Sequence, residues 1–103
     1  MTGLGDLMKQ AQKMKAEMDR IQAEVAARIV EGSAGGGMVT AVANGKGELL
    51  SVKIDPEVVR SEDLEMLQDL VTAAANDALR KARDLLTQEI SRLAGGLGLP
   101  GLL

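Results

Sequence analysis

The chain has 103 residues, carries a net charge of −3, and contains no cysteine, no histidine and no aromatic residue. This length indicates a single small domain, and the missing cysteines exclude a disulfide framework and thiolate chemistry, which suits a reducing cytoplasm. The missing aromatic residues argue against single-strand nucleic-acid binding by base stacking. We expect no membrane association, because Gly3, Asp6 and Lys9 interrupt any signal-peptide pattern and no apolar run approaches transmembrane length.

The first predicted element is a long helix from about Gly5 to Ala27. Its apolar residues alternate three- and four-residue steps, which is the spacing of a coiled-coil seam: Leu4, Leu7, Ala11, Met14, Met18, Ile21 and Val25. Such a helix is about 35 Å long, and short strands cannot cover all of it. Part of the seam should therefore pack on the second long helix or on another chain, and the spacing leaves both possibilities open.

Three short strands are predicted next, at Arg28 to Glu31, Met38 to Ala43 and Glu48 to Ile54. The three glycines 35–37 permit a sharp reversal between the first two strands, because glycine adopts positive φ at no steric cost. Asn44-Gly45 favours a tight hairpin, so the second and third strands should pair antiparallel. Asp55-Pro56 should end the last strand, because proline has no amide hydrogen to donate. A phosphate-binding loop is disfavoured, since a strand and not a helix follows the glycines.

A second long helix should begin near Ser61 to Asp63 and run to about Leu93, before Gly95-Gly96. The acidic group Glu62, Asp63 and Glu65 could be a metal or catalytic cluster, but acidic charge at a helix start is the commoner arrangement. The expected fold class is α+β, with residues 1–94 forming one α-β-β-β-α domain. Residues 95–103 should form a flexible Gly/Leu tail, whose leucines could instead dock on a partner.

No residues are grouped for catalysis, so we expect no enzyme, no metal, no cofactor and no small-molecule substrate. The basic residues lie mainly on the two helices, where several can pair with acids on the same helix. These pairs are Arg20 with Glu17 and Glu24, Lys13 with Glu17, Lys81 with Asp77, and Arg80 with Asp84. Because the net charge is also negative, the charge pattern alone favours a solvated face over a DNA-binding surface.

Seven short motifs follow one another along nearly the whole chain. They are Leu7-Met8-Lys9-Gln10-Ala11-Gln12, Gly35-Gly36-Gly37-Met38-Val39, Asn44-Gly45-Lys46-Gly47, Val52-Lys53-Ile54-Asp55-Pro56, Asp69-Leu70-Val71, Ala75-Asn76-Asp77-Ala78 and Gly95-Gly96-Leu97-Gly98-Leu99-Pro100. Their combination resembles the YbaB/EbfC family of bacterial nucleoid-associated proteins. The chain departs from the family pattern in lacking any aromatic residue and the prolines that often extend the C-terminus.

The resemblance implies a homodimer in which helices project like tweezers from a shared sheet region and bind double-stranded DNA in the nucleoid. By position it nominates seven basic residues for DNA contact: Lys9, Lys13, Lys15, Arg20, Arg80, Lys81 and Arg83. Contacts to phosphates would give binding with little sequence selectivity, with effects on DNA conformation, nucleoid organisation and gene expression. The alternative is a non-enzymatic protein-interaction or scaffold dimer that uses the heptad seam and the apolar tail.

Overall fold

The computed structural model describes residues 3–96. In this part of the chain a long helix is followed by three strands, a short helix and a second long helix. The elements are α1 (Leu4–Ala27), β1 (Ile29–Ala34), β2 (Val39–Asn44), β3 (Leu49–Ile54), α2 (Pro56–Arg60) and α3 (Leu64–Gly96), and a turn of 3-10 helix (Gly35–Gly37) joins β1 to β2. The predicted α+β class and the order of long helix, three strands and long helix are confirmed.

The short helix α2 is the element that was not predicted. Asp55-Pro56 does end β3, but it also begins α2. The Asp55 carboxylate accepts a hydrogen bond from the Glu57 amide at 2.9 Å, and Pro56 occupies the first turn. The next helix then begins as predicted, because the Asp63 carboxylate accepts a hydrogen bond from the Met66 amide at 3.0 Å.

The first strand and the second long helix both extend further than predicted. The first strand continues to Ala34 instead of Glu31, because Gly32 and Ser33 pair with Ala41 and Thr40 on the neighbouring strand. Helix α3 includes Gly95 and Gly96, which the sequence placed beyond the helix end. The remainder of the predicted tail, residues 97–103, lies outside the described residues.

The three strands form one antiparallel sheet in the order β1-β2-β3, and the predicted hairpin between β2 and β3 is confirmed. In the hairpin turn it is Gly47 that adopts a positive φ of 84°, and Asn44 accepts hydrogen bonds from the Lys46 and Glu48 amides. A register shift pairs Ala43 with Leu49 after Val42 has paired with Ser51. This bulge leaves Leu50 as an extra residue on β3 and interrupts the regular alternation of that strand.

The core is built from small residues where α3 crosses the sheet. One cluster joins β2 to α3 through Val39, Ala41, Ala43, Ala74, Ala78 and Ala82, all fully buried. The helix comes so close to β1 that a Cβ at Gly32 would lie 2.2 Å from the backbone nitrogen of Ala78. A second cluster of Ile21, Val25 and Leu85 joins the C-terminal half of α1 to α3.

The two long helices run antiparallel where they meet. Val25 lines one groove with Leu86, and Ile21 lines another with Leu93, so α1 runs back toward the C-terminal end of α3. Every side chain from residue 4 to residue 16 is exposed, including Leu4 at 75% and Leu7 at 60%. We call residues 4–16 the free half of α1, since no described element covers their apolar seam.

The chain is elongated, with a radius of gyration of 19.8 Å and a longest dimension of 73 Å. A compact domain of this length would have a radius of gyration of about 13 Å. Part of the sheet is also open, because Leu50 and Val52 on β3 are 51% and 40% exposed. None of the helices within residues 3–96 is long and apolar enough to cross a membrane.

Candidate nucleic-acid interface

Lys9 and Lys13 lie on the free half of α1, on a flank of the helix beside the seam that contains Ile21 and Val25. This placement follows from about 3.6 residues per helical turn. Both lysines are exposed, and neither forms an ion pair with any residue between 3 and 96. The predicted pair between Lys13 and Glu17 is not formed, because Glu17 contacts Arg20 instead. The two ammonium groups are therefore available to an anion outside the chain.

The other two nominated residues of α1 are already paired. Lys15 contacts Asp19 at 2.8 Å, and Arg20 contacts Glu17 at 2.6 Å and Glu24 at 2.9 Å, as predicted for Arg20. The hydrogen bond that Lys15 donates to the Asp19 carboxylate raises the pKa of Lys15, and the hydrogen bonds that Arg20 donates to Glu17 and Glu24 raise the pKa of Arg20. These pairs are exposed to water and screened by salt, so a phosphate could displace the carboxylates at a small cost.

Charge is divided unevenly between the two halves of α1. Residues 4–16 contain three lysines and one aspartate, whereas residues 17–27 contain one arginine and three acidic residues. The half that projects is therefore positive, and the half that packs on α3 is negative. A duplex approaching the projecting half would meet net positive charge despite the negative charge of the whole chain.

The nominated residues of α3 have different roles from one another. Arg80 and Lys81 both contact Asp77 on the same helix. The Lys81–Asp77 pair was predicted, whereas Arg80 was expected to pair with Asp84. Lys81 also donates a hydrogen bond to the backbone carbonyl of Glu31 at 3.0 Å, on β1. Arg83 is exposed and forms no ion pair among residues 3–96.

Asp77 is the residue that holds this group together. Its carboxylate accepts a hydrogen bond from the Ser33 amide at 3.1 Å, and its side chain is only 18% exposed. The Ser33 hydrogen bond, followed by the contact with Lys81, lowers the pKa of Asp77 below its usual range. Lys81 is therefore committed to contacts within the fold, and Arg83 is the nominated α3 residue that has no ion-pair partner among residues 3–96.

The seven nominated residues form two separate groups on one protomer. Arg80, Lys81 and Arg83 lie beside Ala78 and Ala82, where α3 crosses the sheet. The α1 lysines lie further along, on the free half beyond the contact between Ile21 and Leu93. No single patch unites them in one copy of the chain.

Two further lysines were not nominated from sequence. Lys46 lies in the turn between β2 and β3, and Lys53 lies on β3. Both are exposed and unpaired among the described residues. The Asn44-Gly45 hairpin signal places Lys46 in the turn, whereas the family resemblance nominates basic residues on the helices alone. Between residues 3 and 96 there is also no group of acidic residues arranged to hold a metal ion.

Basic residues clustered along a projecting helix are the electrostatic footprint of a nucleic-acid-binding protein. The model of the YbaB/EbfC DNA-binding family matches residues 1–97. The chain is 54% identical to a nucleoid-associated protein of Acetivibrio thermocellus, across 96% of this chain and 88% of that relative. It is 52% identical to a nucleoid-associated protein of Pelotomaculum thermopropionicum, across 96% of this chain and 94% of that relative.

A solved structure has the same fold. The crystal structure of the uncharacterized protein HP0035 from Helicobacter pylori matches with a TM-score of 0.71 and 27% identity, covering 94% of this chain and 98% of that one. The chain belongs to the YbaB/EbfC DNA-binding family, whose members are nucleoid-associated and not enzymes.

Proposed function

We propose that this protein binds double-stranded DNA as a homodimer, mainly through phosphate contacts made by its helices. The observation that carries the proposal is that Lys9 and Lys13, on the positive free half of α1, are exposed and form no ion pair among residues 3–96. Lysines placed on a projecting helix can neutralise phosphates and release condensed cations without reading the bases. The binding should therefore be only weakly selective for sequence.

Not all seven nominated residues contribute equally in this proposal. Lys9, Lys13 and Arg83 are the primary contacts, because they have no partner within the described part of the chain. Lys15 and Arg20 contribute after exchanging a carboxylate for a phosphate. Arg80 and Lys81 contribute least, because both contact Asp77 and Lys81 also binds the backbone of β1.

The distribution of acid supports one orientation on DNA. Glu57, Glu62, Asp63, Glu65 and Asp69 lie in α2, the following turn and the first turns of α3. From Asp69 to Leu93, α3 extends about 35 Å, which is several times the Debye length of about 8–10 Å near physiological salt. The acidic end therefore does not cancel the attraction at the free half of α1, and the free half of α1 faces the duplex.

The open apolar surfaces support a homodimer. The seam of α1 is divided, since Ile21 and Val25 pack on α3 of the same chain while Leu7 and Met14 remain exposed. The β3 face is likewise open, because its apolar residues Leu49, Leu50 and Val52 are all exposed. A second copy packed against β3 would bury Leu50 and Val52 and would leave two projecting helices.

Two projecting helices per dimer could contact one duplex at two points or two duplexes at once. Such contacts would bend or bridge DNA, and the protein would thereby act in the nucleoid of the cytoplasm on DNA conformation and gene expression. Bending a site of 20–30 base pairs costs on the order of 1–6 kcal/mol. Several phosphate contacts from two protomers are needed to offset that cost.

The salt dependence of duplex binding tests the proposal. Affinity is measured from about 50 to 200 mM salt, with an unrelated duplex as competitor, and a log–log slope near −4 would indicate four to five phosphate contacts. Lys13→Glu should weaken binding strongly. Arg60→Glu is the matched control, because it makes the same charge change at the acidic end, where Arg60 pairs with Glu57. Equal losses in both variants would refute the site assignment.

The exposed seam residues Leu4, Leu7 and Met8 also support a second candidate, a scaffold dimer that captures another protein. This alternative predicts that the dimer ignores duplex DNA even at the lowest salt. It also predicts that deleting residues 95–103 abolishes capture of the partner.

A further inference from the structure

The free edge of β1 is occupied by side chains from α3. β1 is an outer strand of the sheet, and its residues Glu31 and Ser33 are exposed. Peptide groups alternate in direction along a strand, so the outward-pointing groups of an edge strand can pair with a strand of another chain. At this edge the Ser33 amide donates to the Asp77 carboxylate at 3.1 Å, and the Glu31 carbonyl accepts from the Lys81 ammonium at 3.0 Å.

The two α3 residues are held in place by each other and by the packing of the helix. Asp77 and Lys81 are four residues apart and contact each other at 3.2 Å. Between them lies Ala78, whose backbone nitrogen is so close to Gly32 that no side chain fits there. Because α3 lies directly on β1, both charged side chains can reach around the strand to its edge.

The opposite edge of the sheet has no comparable protection. On β3, within residues 3–96, no side chain is hydrogen-bonded to a peptide group of Leu49–Ile54. Leu50 and Val52 are also exposed there. The sheet therefore has one edge that is closed by charged groups and one that is open.

We infer that Asp77 and Lys81 cap the β1 edge and thereby restrict strand pairing between copies of this chain to the β3 side. With both edges open, each copy could pair with two others, and association would continue into larger assemblies. With one edge closed, association through the sheet ends at two copies. Lys81 thus has an assembly role in place of a DNA contact.

The inference rests on the proposed function for its expectation that the wild-type protein is a homodimer, but the cap can be tested without DNA. The test variant is Asp77→Ala with Lys81→Ala, which removes both capping groups and leaves the net charge unchanged. The control is Glu57→Ala with Arg60→Ala, an exposed ion pair of α2 that is also charge-neutral. Molar mass is measured by light scattering at increasing protein concentration.

The double variant of α3 should form species larger than the wild-type, growing with concentration, while the control keeps the wild-type mass. A cysteine at Ser33 reports on the edge directly, because the natural chain has no cysteine. Ser33→Cys should give disulfide-linked pairs upon oxidation only when the cap is removed. If the double variant keeps the wild-type mass and Ser33→Cys does not cross-link in it, the cap has no role in assembly.

A rescue variant distinguishes an open edge from general destabilisation. Ile29 is an exposed β1 residue, and a lysine at an edge position discourages strand pairing. Adding Ile29→Lys to the double variant should restore the wild-type mass. Large species that persist with Ile29→Lys would overturn the inference, since they would arise from unfolding. A monomeric wild-type protein would instead contradict the proposed homodimer. The capping role would then still be tested by the difference in molar mass between the double variant and the control.

Discussion

The backbone of Gly45 touches the carbonyl group of Val25, so that a Cβ at Gly45 would lie 1.8 Å from the Val25 oxygen. The hairpin turn between β2 and β3 therefore presses directly on the C-terminal end of α1. The same contact is reinforced by the Gly45 amide, which donates to the carbonyl of Arg28 at 3.0 Å. This junction fixes the direction in which α1 leaves the sheet, and with it the position of Lys9 and Lys13.

Gly45→Ala should destabilise the protein, because backbone atoms cannot move aside as a flexible side chain can. Overpacking of this kind costs about 1–3 kcal/mol, and a backbone clash belongs at the upper end. The change is measured as the free energy of unfolding in urea. Gly5→Ala is the control, because open space surrounds Gly5 in α1 and alanine favours the helix by about 0.5–1 kcal/mol. Equal stability of the two variants would contradict the close contact.

Glu62→Gly should stabilise the fold. Glu62 is the non-glycine residue between 3 and 96 that adopts positive φ, at 59°, in the turn between α2 and α3. An L-residue held at positive φ destabilises the folded state by about 1–2 kcal/mol, and glycine avoids that cost. Part of the gain is offset because glycine also raises the conformational entropy of the unfolded chain. A rise in melting temperature is expected for glycine. Glu62→Ala removes the same charge without relieving the backbone, so a similar rise for alanine would assign the effect to charge.

The helices and the hairpin could be predicted from the sequence because their signals are local. Apolar residues spaced three and four apart, among them Ile21 and Val25, determine one face of α1. The Asn44 side chain accepts hydrogen bonds from the backbone of the turn that it begins. The role of Lys81 could not be found in this way. Its local pattern correctly pairs it with Asp77 four residues before, but its second partner is the backbone of Glu31, which is fifty residues away in the sequence.

Local sequence patterns also could not predict which apolar surfaces of β3 and α1 stay exposed. Helix α3 packs over β1 and β2 and leaves much of β3 exposed, and no local pattern in the sequence reports where a helix packs on a sheet. Which part of the α1 seam packs on α3 was also left open. Only the tertiary arrangement separates Ile21, which is buried, from Leu7, which is not.

Stability should fall in acid through Asp77. Its pKa is lowered by the hydrogen bond from the Ser33 amide and then by Lys81, so the folded state favours the ionised carboxylate. A carboxylate with a lowered folded pKa stabilises the protein above its unfolded pKa of about 3.9, and this contribution is lost as pH falls through the folded pKa. Melting temperature is measured from neutral pH down to below that value.

Asp77→Asn should flatten this acid dependence, because the amide can still accept the Ser33 hydrogen bond but does not titrate. Glu17→Gln is a useful comparison, since the pKa of Glu17 is also lowered, by the hydrogen bond from Arg20, but its partner lies on the same exposed helix. It should flatten the curve less. An acid dependence unchanged by Asp77→Asn would contradict the assigned role.

Val52→Asp should convert the proposed homodimer to monomer. Val52 is an exposed apolar residue on the uncapped edge strand, and a carboxylate buried between two copies would be uncompensated. The oligomeric state is measured by sedimentation at several concentrations. Leu7→Asp on the free half of α1 is the comparison. A monomer from Leu7→Asp with a dimer from Val52→Asp would place the interface on the α1 seam.

Lys13→Ala and Lys81→Ala should have opposite profiles, although the resemblance nominates both residues for DNA contact. Lys13 has no partner among residues 3–96, so removing it should eliminate one phosphate contact and reduce the salt slope of duplex binding by about 0.9. Its melting temperature should not change. Lys81 contacts Asp77 and the Glu31 carbonyl, so Lys81→Ala should lower the melting temperature and leave the salt slope nearly unchanged. Both quantities are measured on the same preparations.

A loss of slope for Lys81→Ala as large as that for Lys13→Ala would mean that Lys81 leaves β1 to contact DNA. The division of the basic residues into binding and capping groups would then be wrong.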